Sequence, residues 1–166
     1  MLALYAITDR KCIGDRGLEY SVEQALSGGA TMIQLRDKEV DFDTLCKEAD
    51  SLLKICQKYN APLIINDNAD VVIKTGADGV HLGQNDMELA KAREILGKDK
   101  IIGGSARTIG LAKKAEQSGA DYIGSGAVFG TLTKSDAKYL GTENLKKICG
   151  AVGIPVVAIG GVSADN

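Results

Sequence analysis

The chain has 166 residues, and its 20 Lys and Arg residues against 22 Asp and Glu residues leave a formal net charge of −2. This weakly acidic balance argues against nucleic acid or an anionic membrane surface as a partner, because either would require a basic face. Apolar residues make up 45% and charged residues 25%, a composition that excludes a disordered or fibrous protein. No apolar run approaches the roughly 20 residues that cross a bilayer. We expect one domain over residues 1–166.

Seven short runs rich in Ile and Val predict the strands of a sheet. In chain order they are Leu4–Thr8, Thr31–Leu35, Leu63–Asn66, Gly79–Leu82, Ile101–Gly104, Tyr122–Gly126 and Val156–Ile159. Several of these runs are apolar on both faces, which is typical of parallel strands that are covered on both sides.

Helical patterns alternate with these strands. The clearest is Phe42–Tyr59, in which apolar residues recur at steps of three and four and Asp41 precedes as an N-cap. Shorter helices are predicted at Val22–Ser27, Met87–Leu96, Ile109–Ser118 and Glu143–Val152. This alternation predicts a parallel α/β fold, and strand spacing alone leaves open a (β/α)8 barrel or an open doubly wound sheet.

A short pattern repeats where a helix leads into a strand. It reads Gly28-Gly-Ala30, Thr75-Gly-Ala-Asp78 and Ser118-Gly-Ala-Asp121. Gly suits the left-handed conformation that ends many helices, so the repeat marks helix-to-strand junctions. In both candidate folds ligands gather at the carboxyl ends of the strands, and a functional site is expected there.

Cations follow the second predicted strand. It runs out into Gln34-Leu-Arg-Asp-Lys38, where Gln34, Arg36 and Lys38 alternate. An extended backbone would point these three side chains the same way, and two cations beside an amide suit a phosphate receptor. The alternative is a strand that continues into a solvent-exposed loop.

Carboxylates follow the third and fourth predicted strands, at Asp67 and Asp86. Two carboxylates at consecutive strand ends suit Mg²⁺, which proteins hold by one or two carboxylates together with phosphate oxygens. The pair therefore predicts a metal site beside the Arg36 and Lys38 cations.

Helix capping is the competing role for these carboxylates. Asn68 or Asp67 would serve as an N-cap. Asn85 with Glu88 resembles a capping box, which would place Asp86 in the first turn of a helix.

The later strands end in small and hydroxyl residues. Strand five runs into Gly103-Gly-Ser105, strand six into the Gly-rich loop Gly124–Lys134, and strand seven into Gly160-Gly161. Gly-rich backbone can hold a phosphate through its amide groups, and the long loop adds hydroxyls and a cation. The alternatives are a turn residue at Ser105 and an ordinary surface loop.

His81, the only His, lies within the fourth predicted strand without a paired Ser or Cys nucleophile, so triad chemistry has no support. Phosphate-binding groups, a metal pair and little acid–base machinery point to a transferase whose leaving group is a metal-bound diphosphate. The four Cys, at positions 12, 46, 56 and 149, show no C-x-x-C spacing and are interpreted as buried or free thiols of a cytoplasmic protein.

Seven segments together resemble the thiamine-phosphate synthase family. In the family's order they are Tyr5–Arg10, Gln34–Lys38, Leu63–Asp67, Ala77–Asp86, Gly119–Gly124, Thr131–Lys134 and Val157–Gly161. The resemblance implies a TIM-type (β/α)8 barrel. It also implies a Mg²⁺-dependent, dissociative reaction that joins 4-amino-2-methyl-5-(diphosphooxymethyl)pyrimidine to thiazole phosphate, giving thiamine phosphate and diphosphate.

Matching positions also carry implied roles. The pyrimidine diphosphate would be bound by Gln34, Arg36, Lys38, Asn66, Ser105 and Lys134. Asp67 and Asp86 would hold Mg²⁺. The thiazole phosphate would be held by Thr131, Thr133 and the backbone of Gly161. Arg36, Lys38 and Lys134 would be catalytic, because they would stabilise charge growing on the departing diphosphate.

The chain also departs from the family pattern. Arg107 stands where many members have His, and Gly130 where Pro or a small polar residue is common. Seven strands are counted, so we expect a barrel truncated after strand seven, lacking strand eight and its flanking helices and poorly active by itself.

Two other functions stay open, namely a thiazole tautomerase-like enzyme and a non-catalytic phosphate-ligand binding or regulatory barrel. The expected partners are small-molecule substrates, and whether the chain forms a homo-oligomer is left open.

Overall fold

Strands and helices alternate along the chain in the computed structural model, which describes residues 2–130 and 139–166. The chain divides into two units, Met1–His81 with Lys98–Ile101 and Leu82–Gly97 with Ile102–Asn166. A single domain over residues 1–166 stays a prediction. Among the described residues no helix is both long and apolar enough to cross a membrane.

The strands are β1 Tyr5–Ile7, β2 Met32–Leu35, β3 Leu63–Asn66, β4 Gly79–Leu82, β5 Ile101–Ser105, β6 Tyr122–Gly126 and β7 Val156–Ile159. The helices are α1 Arg10–Ile13, α2 Leu18–Ser27, α3 Phe42–Lys58, α4 Ala69–Thr75, α5 Leu89–Leu96, α6 Ile109–Gln117 and α7 Thr142–Cys149. A short 3₁₀ helix, Gly14–Arg16, follows α1.

All described strand pairs are parallel and follow chain order. In the first unit β1 pairs with β2, β2 with β3 and β3 with β4, and in the second unit β5 pairs with β6 and β6 with β7. The register sets Ile7 opposite Gln34 and Asn66 opposite His81. The carboxyl ends of neighbouring strands therefore align at one edge within each unit.

Both faces of the middle strands in the first unit are buried, as their apolar runs predicted. All four residues of β2 are buried, and Ile64 and Ile65 of β3 have 0% of their surface exposed. Helix α3 packs on β3 with a stripe that includes Leu52, and full burial of such a side chain contributes about 1.5–3 kcal/mol. Phe42 and Tyr59, at the two ends of the predicted stripe, are instead exposed.

Small side chains dominate the core of the second unit. Its buried cluster combines four Ala residues with Ile123, Val128, Leu140 and Ile148. Gly103 of β5 lies against the ring of Tyr122, and any Cβ at that position would overlap the ring. Glycine is therefore required there so that the buried Tyr122 can fill the space beside β5.

The predicted strands are confirmed, and β3, β4, β6 and β7 have the predicted bounds. Helix ends differ more: α2 begins at Leu18, earlier than predicted, and α7 ends at Cys149. Helix α1 is absent from the predicted helices, because its four residues are too few for an apolar period of 3.6 to become visible. Helix α4 is indicated in the sequence only by its cap candidates Asp67 and Asn68 and by the junction at Thr75, without bounds.

The Gly-Ala-Asp repeats at helix-to-strand junctions hold the start of a neighbouring strand. The Asp78 carboxylate accepts a hydrogen bond from the Leu63 N–H at 2.8 Å. In the second unit, Asp121 accepts one from the Ile102 N–H at 2.7 Å. Each carboxylate thereby supplies an acceptor to the first or second amide of a buried strand.

A hydroxyl replaces the carboxylate at the first junction. The Thr31 hydroxyl accepts from the Leu4 N–H at 3.1 Å, just before β1 begins. Cations cover carbonyls at the other two junctions, where Lys100 donates to the Ala77 oxygen at 2.7 Å and Arg93 to the Gly119 oxygen at 2.8 Å. The repeat is therefore a structural device.

All four cysteines are free thiols, as predicted. Cys46 and Cys56 are buried within α3, while Cys12 and Cys149 are exposed. Burial is the largest cause of the raised pKa of the Cys56 thiol, which reaches about 11.

We predict that Asp78→Ala lowers the free energy of unfolding by about 1–3 kcal/mol, because the buried Leu63 N–H loses its acceptor. Denaturant titration followed by circular dichroism measures the change. Asp99→Ala, which removes an exposed carboxylate from the same unit, is the matched control. Equal stability of the two variants would contradict the assigned role of Asp78.

Candidate active site

Polar side chains gather at the carboxyl ends of the strands in each unit. In the first unit, the end of β2 carries Gln34, which is 3% exposed and donates from Nε2 to the Tyr5 hydroxyl at 2.7 Å. Of the three alternating residues, only Gln34 lies within the strand, and Arg36 and Lys38 follow in the loop. Tyr5 therefore fixes the Gln34 amide from the neighbouring strand β1.

Thr8 holds the backbone of Arg36. Its hydroxyl accepts from the Arg36 N–H at 2.8 Å and donates to the Arg36 carbonyl at 3.2 Å. The side chain is buried, and the Thr8 N–H also continues the strand ladder by donating to the Gln34 carbonyl at 2.9 Å. These hydrogen bonds join the chain that follows β2 to the chain that follows β1.

Arg10 lies between two carboxylates of the same unit. It donates from Nε to Asp37 and from Nη2 to Glu48 of α3. The hydrogen bond to Asp37 is the largest cause of the raised pKa of Arg10. Burial by itself would raise the pKa of Asp37, but hydrogen bonds from the Glu39 N–H and from Arg10 hold it below its usual value.

An ion pair joins the loop after β2 to the loop after β3. Lys38 Nζ lies 2.7 Å from Asp67 Oδ2, with the two side chains 57% and 28% exposed. The Asp67 N–H donates to the His81 carbonyl at 2.8 Å. Asp67 has a φ of 63°, a left-handed conformation that side chains other than Gly rarely adopt and that is common at functional sites.

Asn68, not Asp67, caps the helix that follows. Its Oδ1 accepts from the Asp70 N–H at 3.0 Å and from the Val71 N–H at 3.2 Å. Of the two capping candidates, Asn68 therefore takes the structural role. The Asp67 carboxylate faces the Lys38 ammonium instead.

Asp86 does not lie in the first turn of a helix. Helix α5 begins at Leu89 after Glu88, which makes no side-chain cap hydrogen bond, so the predicted capping box of Asn85 and Glu88 is wrong. Asp86 Oδ2 instead accepts from the Gly83 N–H at 2.6 Å. A Cβ at Gly83 would lie 2.9 Å from that oxygen, so glycine gives the carboxylate room to fold back.

Ser105 ends β5 in the second unit. The Gln84 side chain donates from Nε2 to the Ser105 carbonyl at 2.5 Å, which ties the loop after β4 to the end of β5. Thr108 caps α6 by accepting from the Leu111 N–H at 3.2 Å.

Gly160 and Gly161 turn the chain sharply after β7, with φ values of 93° and 69°. Both residues lie against the loop after β6. A Cβ at Gly160 would fall 2.6 Å from the Ala127 Cβ, and one at Gly161 would fall 2.8 Å from the Phe129 Cβ. Only glycine suits this close approach of two loops. Ser163 lies in a turn, where its hydroxyl accepts from the Asp165 N–H at 3.3 Å.

Three predicted site residues, Thr131, Thr133 and Lys134, lie outside the described residues. Asp67 belongs to the first unit and Asp86 to the second, so their pairing on one metal stays a prediction. Residues 2–130 and 139–166 contain no cluster of three or more His, Cys, Asp or Glu that could hold a metal. The chemistry of the two carboxylates fits a hard cation that takes its other ligands from phosphate oxygens.

Sequence reasoning missed Thr8, Arg10 and Gln84 as parts of this architecture. Thr8 and Arg10 follow β1 as a polar run, the same signal that identified the residues after the other strands. Gln84 lies two positions before Asp86, and its amide gives no signal of its own in the sequence. The partners of all three are distant in sequence.

Parallel strands that alternate with helices and pair in strict chain order within each unit are typical of TIM-type (β/α) barrel proteins, whereas a doubly wound sheet reverses its strand order. A solved structure supports this class: thiamine phosphate pyrophosphorylase from Pyrococcus furiosus superposes with a TM-score of 0.90 at 42% identity, covering 99% of this chain and 78% of that one. FabK from Thermotoga maritima, at 19% identity and a TM-score of 0.70, shares the fold alone.

The sequence comparisons identify the family. A family model described as thiamine monophosphate synthase matches residues 4–166, and the chain belongs to that family. The thiamine-phosphate synthase of Clostridium acetobutylicum is 51% identical over 98% of this chain and 77% of its own length. That of Ruminiclostridium cellulolyticum is 48% identical, over 98% and 78%. These relatives are transferases of thiamine biosynthesis.

We expect Thr8→Val to lower the free energy of unfolding by about 1–3 kcal/mol, because the Arg36 N–H loses its acceptor and no water replaces a buried hydroxyl. Thr8→Ser keeps the hydroxyl and should lose clearly less. Denaturant titration of the two variants and the unmodified chain measures this order, and the reverse order would contradict the role of the hydroxyl.

Proposed function

We propose that the chain joins an aminopyrimidine-methyl diphosphate to a thiazole phosphate, giving thiamine phosphate and diphosphate. The ion pair between Lys38 and Asp67 is the observation that carries the proposal, in a chain of the thiamine monophosphate synthase family. A cation that can receive a phosphate and a carboxylate that can hold a divalent metal are the two groups that a metal-bound diphosphate requires. Here they are in direct contact.

Asp67 and Asp86 would hold Mg²⁺ together with oxygens of the substrate diphosphate. When bound, the metal neutralises charge on the diphosphate and makes it a better leaving group. Two features support these residues: Asn68 takes over the capping of α4, and Asp86 lies in a loop before α5. Neither carboxylate is therefore needed as a helix cap.

Substrate binding would separate the Lys38–Asp67 ion pair, because each of the two side chains would bind a different ligand. In the absence of substrate each charge is balanced by the other. Lys38 would then bind the diphosphate, and Asp67 would be one of the residues that hold the metal. Because Lys38 is 57% exposed, the ion pair is weak and its exchange for these stronger partners costs little.

The proposed reaction breaks the bond between the pyrimidine methylene carbon and the diphosphate oxygen, and the electron pair leaves with the diphosphate. Arg36, Lys38 and Lys134 would stabilise the negative charge that grows there. The cation left on the pyrimidine is delocalised by its amino group. The thiazole nitrogen then forms the new carbon–nitrogen bond, so the chain needs neither a nucleophile nor a general base.

The remaining predicted residues would orient the two substrates. Gln34, Asn66 and Ser105 would hold the pyrimidine diphosphate, and the hydrogen bond between Gln34 and the Tyr5 hydroxyl supports a fixed direction for that amide. Thr131, Thr133 and the backbone of Gly161 would hold the thiazole phosphate. Anchoring the phosphate keeps the thiazole nitrogen close to the cation, which favours its capture.

The decisive test is thiamine-phosphate formation from both substrates with Mg²⁺, measured by chromatography. We expect Asp67→Ala and Asp86→Ala to lower kcat/KM by about 100-fold or more, because the metal loses a ligand. Asp70→Asn, which neutralises an exposed carboxylate close to Asp67 in the chain, should retain activity. Equal loss in all three variants would contradict the metal assignment.

Other outcomes distinguish the remaining functions. If the 166-residue chain forms no product, we would repeat the assay with a chain that is extended after Asn166 by the corresponding segment of a relative. Absence of product from both chains would overturn the proposal. Binding of thiazole phosphate without turnover would then favour a non-catalytic barrel. Isomerisation of the thiazole without joining would favour a tautomerase.

A further inference from the structure

Arg10 is a charged residue for which the proposed mechanism has no use. Its guanidinium joins Asp37, between the two cations of the β2 loop, to Glu48 on α3. The Asp37 side chain is 2% exposed and the Glu48 side chain 16%. Two largely buried carboxylates thus share one arginine.

Burial makes both carboxylates depend on that arginine. A carboxylate removed from water is strongly destabilised unless a charged partner and hydrogen bonds compensate it. Asp37 receives a backbone hydrogen bond from Glu39 at 3.0 Å besides the guanidinium. For Glu48 the dependence is greater, since its Oε2 is buried and accepts no hydrogen bond from any residue in the described part of the chain.

The direction of Asp37 affects its neighbours because it lies between Arg36 and Lys38. Without the guanidinium, the Asp37 side chain would lose the contact that ties this loop to the chain around Arg10, and the backbone that carries the two cations would be less restrained. A free carboxylate would also compete for these cations and repel an incoming diphosphate. Pairing Asp37 with Arg10 prevents both effects.

We propose that Arg10, oriented by Glu48, is a positioning residue that fixes Asp37 and thereby holds Arg36 and Lys38 for a diphosphate ligand. The inference rests on the proposed function, since a diphosphate is the ligand for which the direction of both cations matters. Arg10 works beside Thr8, which holds the Arg36 backbone from the same end of β1. The Thr8 hydroxyl positions the main chain of Arg36, and the Arg10 guanidinium orients the side chain of Asp37.

The test compares Arg10→Ala with Arg16→Ala. Arg16 lies in the same unit, carries the same charge and donates to the carbonyls of Cys12 and Ile13. In the turnover assay, Arg10→Ala should raise KM for the pyrimidine diphosphate about tenfold with a smaller change in kcat, because it weakens diphosphate binding. KM for the thiazole phosphate should not change in either variant.

Hydrogen exchange supplies a readout that does not depend on turnover. In Arg10→Ala the amides of residues 36–40 should exchange at least about tenfold faster, while the amides of β3 and β6 keep their protection. Arg16→Ala should leave residues 36–40 unchanged. Arg10→Lys should fall between the two, because an ammonium can pair with one carboxylate but does not bridge two in the arginine geometry.

Glu48→Gln keeps the inference testable if Arg10→Ala does not fold. It retains the shape of the side chain and should shift exchange and KM in the same direction, by a smaller factor. Unchanged exchange at residues 36–40 in Arg10→Ala, or in Glu48→Gln where Arg10→Ala is unfolded, overturns the positioning role. A fall in kcat with unchanged KM, or exchange that rises equally throughout the unit, also overturns it.

The two proposals fail in different ways. If the unmodified chain and its extended form make no thiamine phosphate, the proposed function fails. Binding of inorganic diphosphate with Mg²⁺, measured by calorimetry, then replaces KM: a Kd raised about tenfold in Arg10→Ala but not in Arg16→Ala supports the positioning role. Equal affinity in both variants overturns it.

Discussion

Backbone groups at the ends of short parallel strands lack a strand partner, and neighbouring side chains must supply one. The strands here have three to five residues, so end groups are a large share of each. The Leu63 N–H, at the start of β3, donates to the Asp78 carboxylate. The Arg36 N–H, just after β2, donates to the Thr8 hydroxyl. A buried amide without an acceptor lowers the free energy of unfolding by about 1–3 kcal/mol, so each missing acceptor would clearly destabilise a sheet of such short strands.

The two ends of the strands meet this requirement with different consequences. At the helix-to-strand junctions the carboxylates of Asp78 and Asp121 are occupied by backbone amides, so they serve the fold. At the opposite ends the polar groups lie in loops, where Asp67 meets Lys38 and Asp86 accepts from Gly83. Carboxylates in loops can exchange partners with a ligand, whereas those that hold strand amides cannot do so without loosening the sheet.

Adjacent residues after β3 divide these roles. Asn68 caps α4, and this leaves the preceding carboxylate outside the helix. Asp67 adopts a left-handed conformation, which costs of order 1–3 kcal/mol in a residue other than Gly. Its hydrogen bond to the His81 carbonyl and its contact with Lys38 offset that cost. After β2, Asp37 pairs with Arg10 and lies between Arg36 and Lys38, the two cations that are proposed to bind the diphosphate.

The sequence by itself determined the strands, the long helix α3 and the polar character of the strand ends. Apolar runs and a 3.6-residue period are local properties of the sequence, so they can be recognised without knowledge of the fold. The resemblance to the family could also be recognised from the sequence, because seven matching segments extend from Tyr5 to Gly161. Only the tertiary structure decided the short helix α1, the bounds of α4 and the partner of each polar side chain. Arg10 meets carboxylates 27 and 38 positions away, and such pairings depend on how strands and helices align side by side.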